Sequence, residues 1–486
     1  MELLIIPLVL ALLALFIPKQ FLRYYALVGG LISTIVAIGH VVAYVPTDLY
    51  VSVFDPNWAS LFGLTYKMGY DGISLIMVVL TNVVTFLILL SNFNGALASN
   101  KLFTSMVFFM QVALLGVFLS MDGLLFYVFW ELSLIPVFLI FLWFGAPDRK
   151  ADLIKFFIYT FVGSLAMLFA LMALKVGGPG FEGAKSFSWE HLMQVQLGTT
   201  SAFWIMGGFF LAFAVKIPLF PFHGWQPETY TKSPMAGTML LSALMLKMAL
   251  YGMMRWMLPL APEAMDSYTK PVVVLGTIGV IYAAILAIRQ KNIKRTFAFA
   301  SISHVGLIAA GIMVMSYDAM TGAVIQMINH SLVAVGLFLA AEIFERRLGT
   351  NEFSDLGGIA KQAPRFAFWF GAIVFAGISI PLTSGFIGEF LLIRGVYFYD
   401  SMWGILIGTT LILACVYTFR AYQLSMNGPS RNFNFPDLTW NETAVFFILM
   451  IFIVLIGVYP QMIVEIIEPS LKTLLDNIHS SQNIAQ

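Results

Sequence analysis

The chain alternates between long apolar runs and short polar connections along its whole length. An apolar run of about 17–25 residues is long enough to cross a bilayer as a helix. Fourteen such runs predict an all-α, polytopic membrane protein with about fourteen transmembrane helices. The approximate limits of the runs are 2–17, 24–45, 72–92, 103–120, 123–144, 153–175, 203–222, 236–258, 271–289, 297–315, 320–342, 366–399, 403–425 and 442–463.

Two of these runs contain prolines where a straight helix would need backbone donors. The run at 203–222 contains Lys216 deep in apolar sequence, and Pro218 and Pro221 follow the lysine. Residues 377–389 repeat the Ile-Pro-Leu triplet, add glycines and end in Glu389. Because proline lacks an N–H and clashes with the preceding turn, both helices are predicted to break. A broken helix beside a charge at membrane depth indicates a hydrated path or an ion site.

Composition and loop charges place the chain in a membrane and orient it there. Hydrophobic residues make up 60% of the sequence and charged residues only 10%, with a mean hydropathy of +0.90. Sixteen lysines and arginines fall in the loops of one side and five in the loops of the other. Positive loops stay on the cytoplasmic side. We therefore expect a bacterial inner (plasma) membrane protein with both termini on the outer, periplasmic side.

A single cysteine, Cys415, limits the chemistry that this chain can hold. One thiolate cannot ligate an iron–sulfur cluster, complete a structural zinc site or build a disulfide framework. No dinucleotide-binding fingerprint follows a predicted strand. We expect no metal and no cofactor in this chain. The tail beyond residue 463 is predicted to form a short amphipathic helix followed by a polar end.

Six ionisable residues lie near the middle of predicted helices, too deep for easy snorkelling to the headgroups. A charge at a helix centre costs roughly 2.5–3.5 kcal/mol on insertion scales, so such residues are functional candidates. A Na⁺ or Ca²⁺ site would need clustered oxygens, whereas acids, lysines and histidines together can hand on protons through water. The six candidate proton-transfer residues are Glu131, Lys216, Lys247, His304, His330 and Glu389.

Each candidate also has a structural interpretation. Glu131 could hold helices together through a salt bridge, the two histidines could be packing residues, and Glu389 could stabilise a helix N-terminus through the dipole. Lys247, in Leu-Met-Leu-Lys-Met-Ala-Leu, has no local polar partner, so it needs a distant one. A Glu131–Lys216 pair would act as a switch, because a nearby carboxylate favours the charged form of a buried lysine. Asp71 and Asp122 precede predicted helices and are interpreted as N-caps.

Several motifs carry a resemblance to a known family. Five stretches resemble the antiporter-like subunits of respiratory complex I, and the resemblance covers essentially all fourteen predicted helices. The stretches are Phe129-Trp-Glu131-Leu-Ser-Leu-Ile-Pro136, Lys155-Phe-Phe-Ile-Tyr-Thr160, Val215-Lys216-Ile-Pro-Leu-Phe-Pro-Phe-His-Gly-Trp225, Ser301-Ile-Ser-His304 and Gly385-Phe-Ile-Gly-Glu389.

This resemblance implies an architecture and a set of partners. It implies broken helices 7 and 12, and two inverted five-helix repeats, helices 4–8 and 9–13. The corresponding division is 1–100, 101–260, 261–430 and 431–486. The six candidates would form a proton-translocating row, driven by quinone reduction elsewhere in NADH:quinone oxidoreductase. FMN, iron–sulfur clusters and quinone would belong to partner subunits, and the neighbours would include the antiporter-like chains L and N. No nucleic acid is expected as a partner.

One position distinguishes sibling types within the family. The resemblance implies lysine at the helix-12 position in chains L and N and in the Mrp antiporter subunits, and glutamate in another type of chain. Glu389 places this sequence with the glutamate type. The alternative function is a subunit of a multi-chain Na⁺/H⁺ antiporter or of a membrane-bound hydrogenase. A purely structural scaffold is a third hypothesis, which the cost of six buried ionisable residues disfavours.

Overall fold

The computed structural model describes residues 1–46, 51–54, 66–429 and 433–485, and this part of the chain is almost entirely helical. Across those residues, twelve helices are long and apolar enough to cross a membrane. Two shorter apolar helices, Glu2–Ala14 and Pro364–Gly377, coincide with the first predicted run and with the start of the twelfth. The all-α membrane class is therefore confirmed, while fourteen spans and the inverted repeats stay predictions.

The helices follow the predicted runs closely. In chain order they are α1 (Glu2–Ala14), α2 (Lys19–Ala43), α3 (Gly72–Ser91), α4 (Lys101–Leu119), α5 (Gly123–Leu132), α6 (Leu134–Phe144), α7 (Lys150–Val176), α8 (Trp189–Leu192), α9 (Thr199–Lys216), α10 (Gln226–Lys232), α11 (Met235–Leu240), α12 (Leu246–Gly252), α13 (Leu258–Leu260), α14 (Met265–Arg289), α15 (Ile293–Val314), α16 (Tyr317–Leu348), α17 (Pro364–Gly377), α18 (Ser384–Tyr399), α19 (Ser401–Gly408), α20 (Thr410–Met426), α21 (Trp440–Val458) and α22 (Gln461–Ala485).

Short irregular helices and strands connect or interrupt these elements. Two π-helical turns, Leu241–Met245 and Met253–Met257, separate α11, α12 and α13 within one continuous span. Within the described residues, three 3₁₀ turns lie at Phe222–Trp225, Pro262–Ala264 and Ile359–Lys361. Strands β1 (Val51–Phe54) and β2 (Met68–Tyr70) pair antiparallel, as do β3 (Gly177–Gly178) and β4 (Phe181–Glu182). The strands are confined to connections and do not change the helical class.

Both predicted breaks are present. Helix α9 ends at Lys216 and the chain becomes helical again only at Phe222. Helix α17 ends at Gly377, and α18 begins at Ser384. At the first break, the indole N–H of Trp225 donates to the carbonyl of Val215 at 2.8 Å. This bond pairs an acceptor that the missing donors of the proline segment would otherwise leave open.

The sequence did not predict an interruption between α5 and α6 at Ser133, two residues after Glu131. Its cause is Pro136, which cannot donate to the carbonyl of Leu132. The N-cap interpretation is confirmed at both aspartates. The side chain of Asp71 accepts from Ser74 N–H, and that of Asp122 accepts from the N–H groups of Leu124 and Leu125.

The C-terminal segment differs from the prediction. It forms one helix from Gln461 to Ala485, rather than a short helix followed by a polar end. The Ser470 hydroxyl accepts a hydrogen bond from Gly72 N–H at the start of α3, at 3.0 Å. A Cβ on Gly72 would lie only 1.9 Å from the Ile466 carbonyl oxygen, so glycine is required there for α22 to approach. Docking on α3 therefore keeps the tail helical further than its polar composition indicates.

The helix ends define two faces of the bundle. The face with the start of α3 and with α22 is called the terminal face; it also carries Glu2, which pairs with His40 at 3.1 Å. On the opposite face, Lys232 at the end of α10 forms ion pairs with Asp148 at 2.7 Å and Asp152 at 2.8 Å. The two carboxylates raise the pKa of Lys232 above its ordinary range. These ion pairs tie the second half of the broken span to the loop before α7 and to the start of α7.

Candidate functional site

Lys247 lies in the span that contains the two π turns, and its side chain is only 1% exposed. Its Nζ donates to the carbonyl oxygen of Ser242 at 2.8 Å, five residues earlier. A π turn has a five-residue hydrogen-bond period. The turn Leu241–Met245 therefore keeps Ser242 and Lys247 on one face of the helix. The sequence carries no signal for this turn.

The distant partner that Lys247 required is His330 on α16. Lys247 Nζ lies 2.6 Å from His330 Nδ1, and His330 Nε2 lies 3.0 Å from the Ser301 hydroxyl. An ammonium group only donates, so with Lys247 charged, His330 Nδ1 must be the acceptor. Nε2 then carries the imidazole hydrogen and donates to Ser301. The histidine thus has a hydrogen-bond partner on each side of its ring, which a packing residue does not need.

His304 continues the row from the other side of Ser301. Its ring centroid lies 6.2 Å from that of His330, and its Nε2 lies 3.0 Å from the hydroxyl of Tyr417. A cavity of about 30 Å³ adjoins these groups; Ser242, Ser301 and both histidines line part of it, and apolar side chains line most of the rest. A polar cavity needs about 10–15 Å³ to hold one water molecule. There is room for water between the two histidines.

Glu389 ends this row on α18, with 1% of its surface exposed. Its Oε1 lies 3.0 Å from His304 Nδ1, which is ion-pair distance, although the two groups are not aligned as a hydrogen bond. The same oxygen accepts from Gln326 Nε2 at 2.9 Å. Glu389 is the sixth residue of α18, and side chains rather than first-turn N–H groups contact it. The helix-dipole interpretation of Glu389 therefore finds no support in its contacts.

Close packing of α16 on α18 sets the Gln326–Glu389 contact. A Cβ on Gly388 would lie 2.9 Å from the backbone nitrogen of Gln326, and one on Gly322 would lie 3.0 Å from the Gly388 carbonyl oxygen. Real Cβ atoms do not come this close to backbone without displacing it. The two glycines therefore let the backbones of α16 and α18 come close enough for the Gln326 side chain to reach Glu389.

Glu131 and Lys216 form a second group. Lys216 is 1% exposed, and its Nζ lies 5.2 Å from the ring centroid of Trp130, the residue before Glu131. Neither Lys216 Nζ nor Glu131 Oε1 has a hydrogen-bond partner within the described residues. Glu131 and Lys216 are thus neighbours on either side of Trp130, but they do not form a direct hydrogen-bonded salt bridge. The ring face holds the ammonium by a cation–π contact.

With this geometry established, comparison with known proteins places the chain. The family model for the transmembrane part of NADH:quinone oxidoreductase and Mrp antiporter proteins matches residues 120–414. The chain belongs to this family. All six predicted site residues lie inside the matched range. Within the described residues, no group of three or more His, Cys, Asp or Glu side chains could hold a metal ion.

Individual members of the family resemble the chain over most of its length. Subunit M of NADH-quinone oxidoreductase from Rhodobacter capsulatus is 33% identical over 466 residues, covering 90% of both chains. Subunit M from Escherichia coli K12 is 35% identical over 426 residues, covering 85% of this chain and 83% of that protein. These names agree with chain M, the glutamate sibling type that Glu389 predicts.

A solved structure shows the same fold. A chain of respiratory complex I from Thermus thermophilus with bound NADH is similar with a TM-score of 0.89 and 26% identity. The similarity covers 100% of this chain and 99% of that one. The whole chain, including the helices outside residues 120–414, therefore follows the architecture of a complex I membrane subunit.

The structure divides the six predicted residues into two sets. One set is a row made of Lys247, His330, His304 and Glu389. The other set is Glu131 and Lys216, which flank Trp130 without contacting that row directly.

The side chains that join the predicted residues were not themselves predicted. Ser301 belongs to the motif Ser301-Ile-Ser-His304, and Gln326 is a polar residue within an apolar run. Tyr417 carried no signal. The joining side chains that were missed are Ser242, Ser301, Gln326, Tyr417 and Trp130.

Proposed function

We propose that the chain is the chain M type membrane-arm subunit of an NADH:quinone oxidoreductase and that it translocates protons through the six candidate residues. The observation that carries this proposal is the buried contact between Lys247 and His330 at 2.6 Å, extended by His304 and Glu389. The family match supports the assignment to the enzyme complex. Buried charges at this depth are expensive unless function retains them.

Proton transfer along the row needs only small movements. The Lys247 ammonium can pass a proton to His330 Nδ1 while Nε2 releases its own proton toward Ser301. Water in the adjacent cavity carries the proton across to His304, whose Nδ1 faces the Glu389 carboxylate. A histidine with a partner on each ring nitrogen is suited to such a relay, since it accepts on one atom and donates from the other.

Glu131 and Lys216 act as the switch at the start of this row. In the structure, Lys216 rests on Trp130 and lacks a hydrogen-bonded anion. Movement of the Glu131 carboxylate toward Lys216 would hold a proton on the lysine, and separation would release it. The break after Lys216 gives the chain end of α9 freedom to move. Separation of the pair is therefore proposed to send a proton toward Lys247.

The proposal extends to orientation and partners. The terminal face is the outer, periplasmic face of a bacterial inner membrane, as the distribution of basic loops indicates. Residues 101–260 and 261–430 are the two inverted repeats, flanked by 1–100 and 431–486. The chain itself carries no redox centre; FMN, iron–sulfur clusters and quinone reside in partner subunits. Chains L and N are the neighbouring antiporter-like partners.

The test is purification of the tagged chain in its assembled complex, followed by reconstitution in vesicles with a trapped pH dye. We expect flavin- and iron–sulfur-containing chains to co-purify, and NADH oxidation to drive proton movement that an uncoupler abolishes. Purification with only small membrane subunits, together with Na⁺-driven proton movement without NADH, would instead establish the antiporter alternative. Full pumping in a Glu131→Gln, Lys216→Ala double variant would support a structural scaffold.

A further inference from the structure

A stripe of polar side chains continues from Lys247 toward the terminal face. Lys247, Tyr251 and Arg255 follow one another at four-residue intervals in the same span. Residues four apart lie on one face of a helix, about 6 Å apart along its axis. All three side chains are buried, and the tyrosine is fully enclosed. The proposed proton row does not use Tyr251 or Arg255.

Tyr251 connects this stripe to the start of α3. Its hydroxyl lies 3.3 Å from the Ser74 hydroxyl, which donates to Asp71 Oδ1 at 2.7 Å. Asp71 Oδ2 pairs with Arg255 at 3.1 Å, although the sequence indicated only an N-cap role for this aspartate. The N-cap uses one oxygen of the Asp71 carboxylate, so the ion pair with Arg255 is an additional role of its other oxygen. The contacts Tyr251–Ser74–Asp71 form a continuous hydrogen-bonded path when the Tyr251 hydroxyl donates to Ser74.

The path ends in a cavity of about 210 Å³ at the terminal face. Asp71, Arg255 and Glu190 contribute charged groups to its wall, and Ser470 and Asn477 of α22 close it from the opposite side. Such a polar cavity has room for several water molecules. The Asp71 carboxylate is therefore the first group of the path that solvent in this cavity can reach.

We propose that Tyr251, Ser74 and Asp71 are proton-relay residues that connect Lys247 with the cavity beneath α22. The inference rests on the proposed proton translocation and adds a second way out of the row, besides Glu389. Lys247 has a flexible four-carbon stem, and Tyr251 lies one helical turn away. A turn of the lysine side chain from Ser242 toward Tyr251 brings the ammonium to the start of the path.

The relay moves one proton without net change in its members. Lys247 gives a proton to the Tyr251 oxygen while the tyrosine passes its own to Ser74, and Ser74 passes its own to Asp71. The proton then leaves Asp71 for water in the cavity, and the ion pair with Arg255 re-forms. The Tyr251 hydroxyl has a second acceptor, the Phe118 carbonyl oxygen at 3.2 Å. Donation to Phe118 interrupts the path, so rotation of this one hydroxyl opens and closes it.

The first test compares Tyr251→Phe and Asp71→Asn in the assembled complex in vesicles. Asparagine keeps the N-cap, and phenylalanine keeps the ring, so both changes preserve shape. Loss of a positioned proton-transfer group slows transfer by about 10²–10⁴-fold, which closes this exit but leaves the one at Glu389, so we expect NADH-driven proton movement to fall roughly twofold. The matched control is Tyr25→Phe, which removes a hydroxyl that donates to the Leu10 carbonyl and is not part of the path; it should pump normally.

The outcomes separate the relay from the function on which it rests. Normal pumping in Tyr251→Phe and Asp71→Asn, with pumping lost in Lys247→Ala, overturns the relay and leaves the proposed function standing. Normal pumping in Lys247→Ala and Glu131→Gln as well overturns the proposed function and the relay together.

A second test blocks the cavity after the protein has folded. With Cys415 replaced by serine, Thr473→Cys places a thiol in the cavity wall, and Lys472→Cys places one on the exposed side of the same helix. We expect a bulky maleimide on residue 473 to lower proton movement to the level of Tyr251→Phe and the same label on residue 472 to leave it unchanged. Equal rates at the two labelled positions would contradict an open port at this cavity.

Discussion

Lys247 Nζ and His330 Nδ1 meet at 2.6 Å although 83 residues separate them in the chain. The lysine belongs to the unit predicted at 101–260 and the histidine to the unit predicted at 261–430. The contact therefore joins buried polar groups of the two predicted repeats, as does the contact between the Ser242 and Ser301 hydroxyls at 3.4 Å. Loss of either partner leaves a buried polar group unpaired, which costs about 1–3 kcal/mol or more for a charged group.

Lys247 provides the sharpest test of proton transfer against simple charge pairing. We expect Lys247→Ala to reduce proton movement and NADH oxidation together, roughly tenfold or more, because coupled steps stall when a proton-transfer group is removed. Lys247→Arg should restore assembly without restoring pumping, since a guanidinium keeps its charge but does not release its proton. The measurement is proton uptake and NADH oxidation in the same vesicles.

Recovery of pumping in the arginine variant would contradict this prediction, because it would show that a fixed positive charge is sufficient next to His330. Complex content in the membrane, measured by flavin, provides the control for assembly.

Glu131 should be sensitive to charge rather than size. Glu131→Gln is expected to slow both electron transfer and pumping, because glutamine cannot attract the Lys216 ammonium or exchange a proton at neutral pH. Glu131→Asp keeps the carboxylate and should retain a larger part of the activity. NADH:quinone turnover and proton stoichiometry in the two variants make the comparison, and normal rates with full stoichiometry in the glutamine variant would show that Glu131 has no role in transfer.

Glu389 should tolerate lysine better than alanine. Gln326 presents its amide nitrogen to Glu389, while its Oε1 has no hydrogen-bond partner in the described part of the chain. Rotation of the amide by half a turn would therefore offer an acceptor to a lysine. We expect pumping in Glu389→Lys to exceed that in Glu389→Ala, measured in vesicles at equal complex content. A deeper loss in the lysine variant would mean that this position does not accept an alternative proton-exchanging group.

Gly388 tests the packing that holds Gln326 against Glu389. An added Cβ would lie 2.7 Å from the Gln326 side-chain oxygen and 2.9 Å from its backbone nitrogen. We expect Gly388→Ala to destabilise the protein by about 1–3 kcal/mol through overpacking and to weaken pumping. The matched control is Gly39→Ala, where the new Cβ meets no atom within 4 Å. Its unfolding temperature in detergent should be unchanged or slightly higher. Equal unfolding temperatures of the Gly388→Ala and Gly39→Ala variants would argue against a close contact at Gly388.

Particular residues show how far sequence reasoning reached into the site. Pro218 and the Ile380-Pro-Leu382 triplet predicted both breaks because proline acts locally, on its own N–H and the preceding turn. The π turn before Lys247 was missed, since no residue type specifies it. A Glu131–Lys216 switch was predicted without specifying a contact between the two, and the structure adds Trp130, whose ring centroid lies 5.2 Å from Lys216 Nζ. Asp71 was identified as an N-cap, and its ion pair with Arg255 escaped notice.

The sequence by itself determined the membrane class, the positions of most helices, the two breaks and the six ionisable residues near the middle of helices. Each of these follows from apolar run length, proline chemistry or the cost of charge in lipid, which act over a few neighbouring residues. Only the tertiary structure decided which of these residues meet. Partners such as His304 and Glu389 lie on different helices, and their contact depends on how helix faces rotate and pack, for which glycines such as Gly388 leave the necessary space.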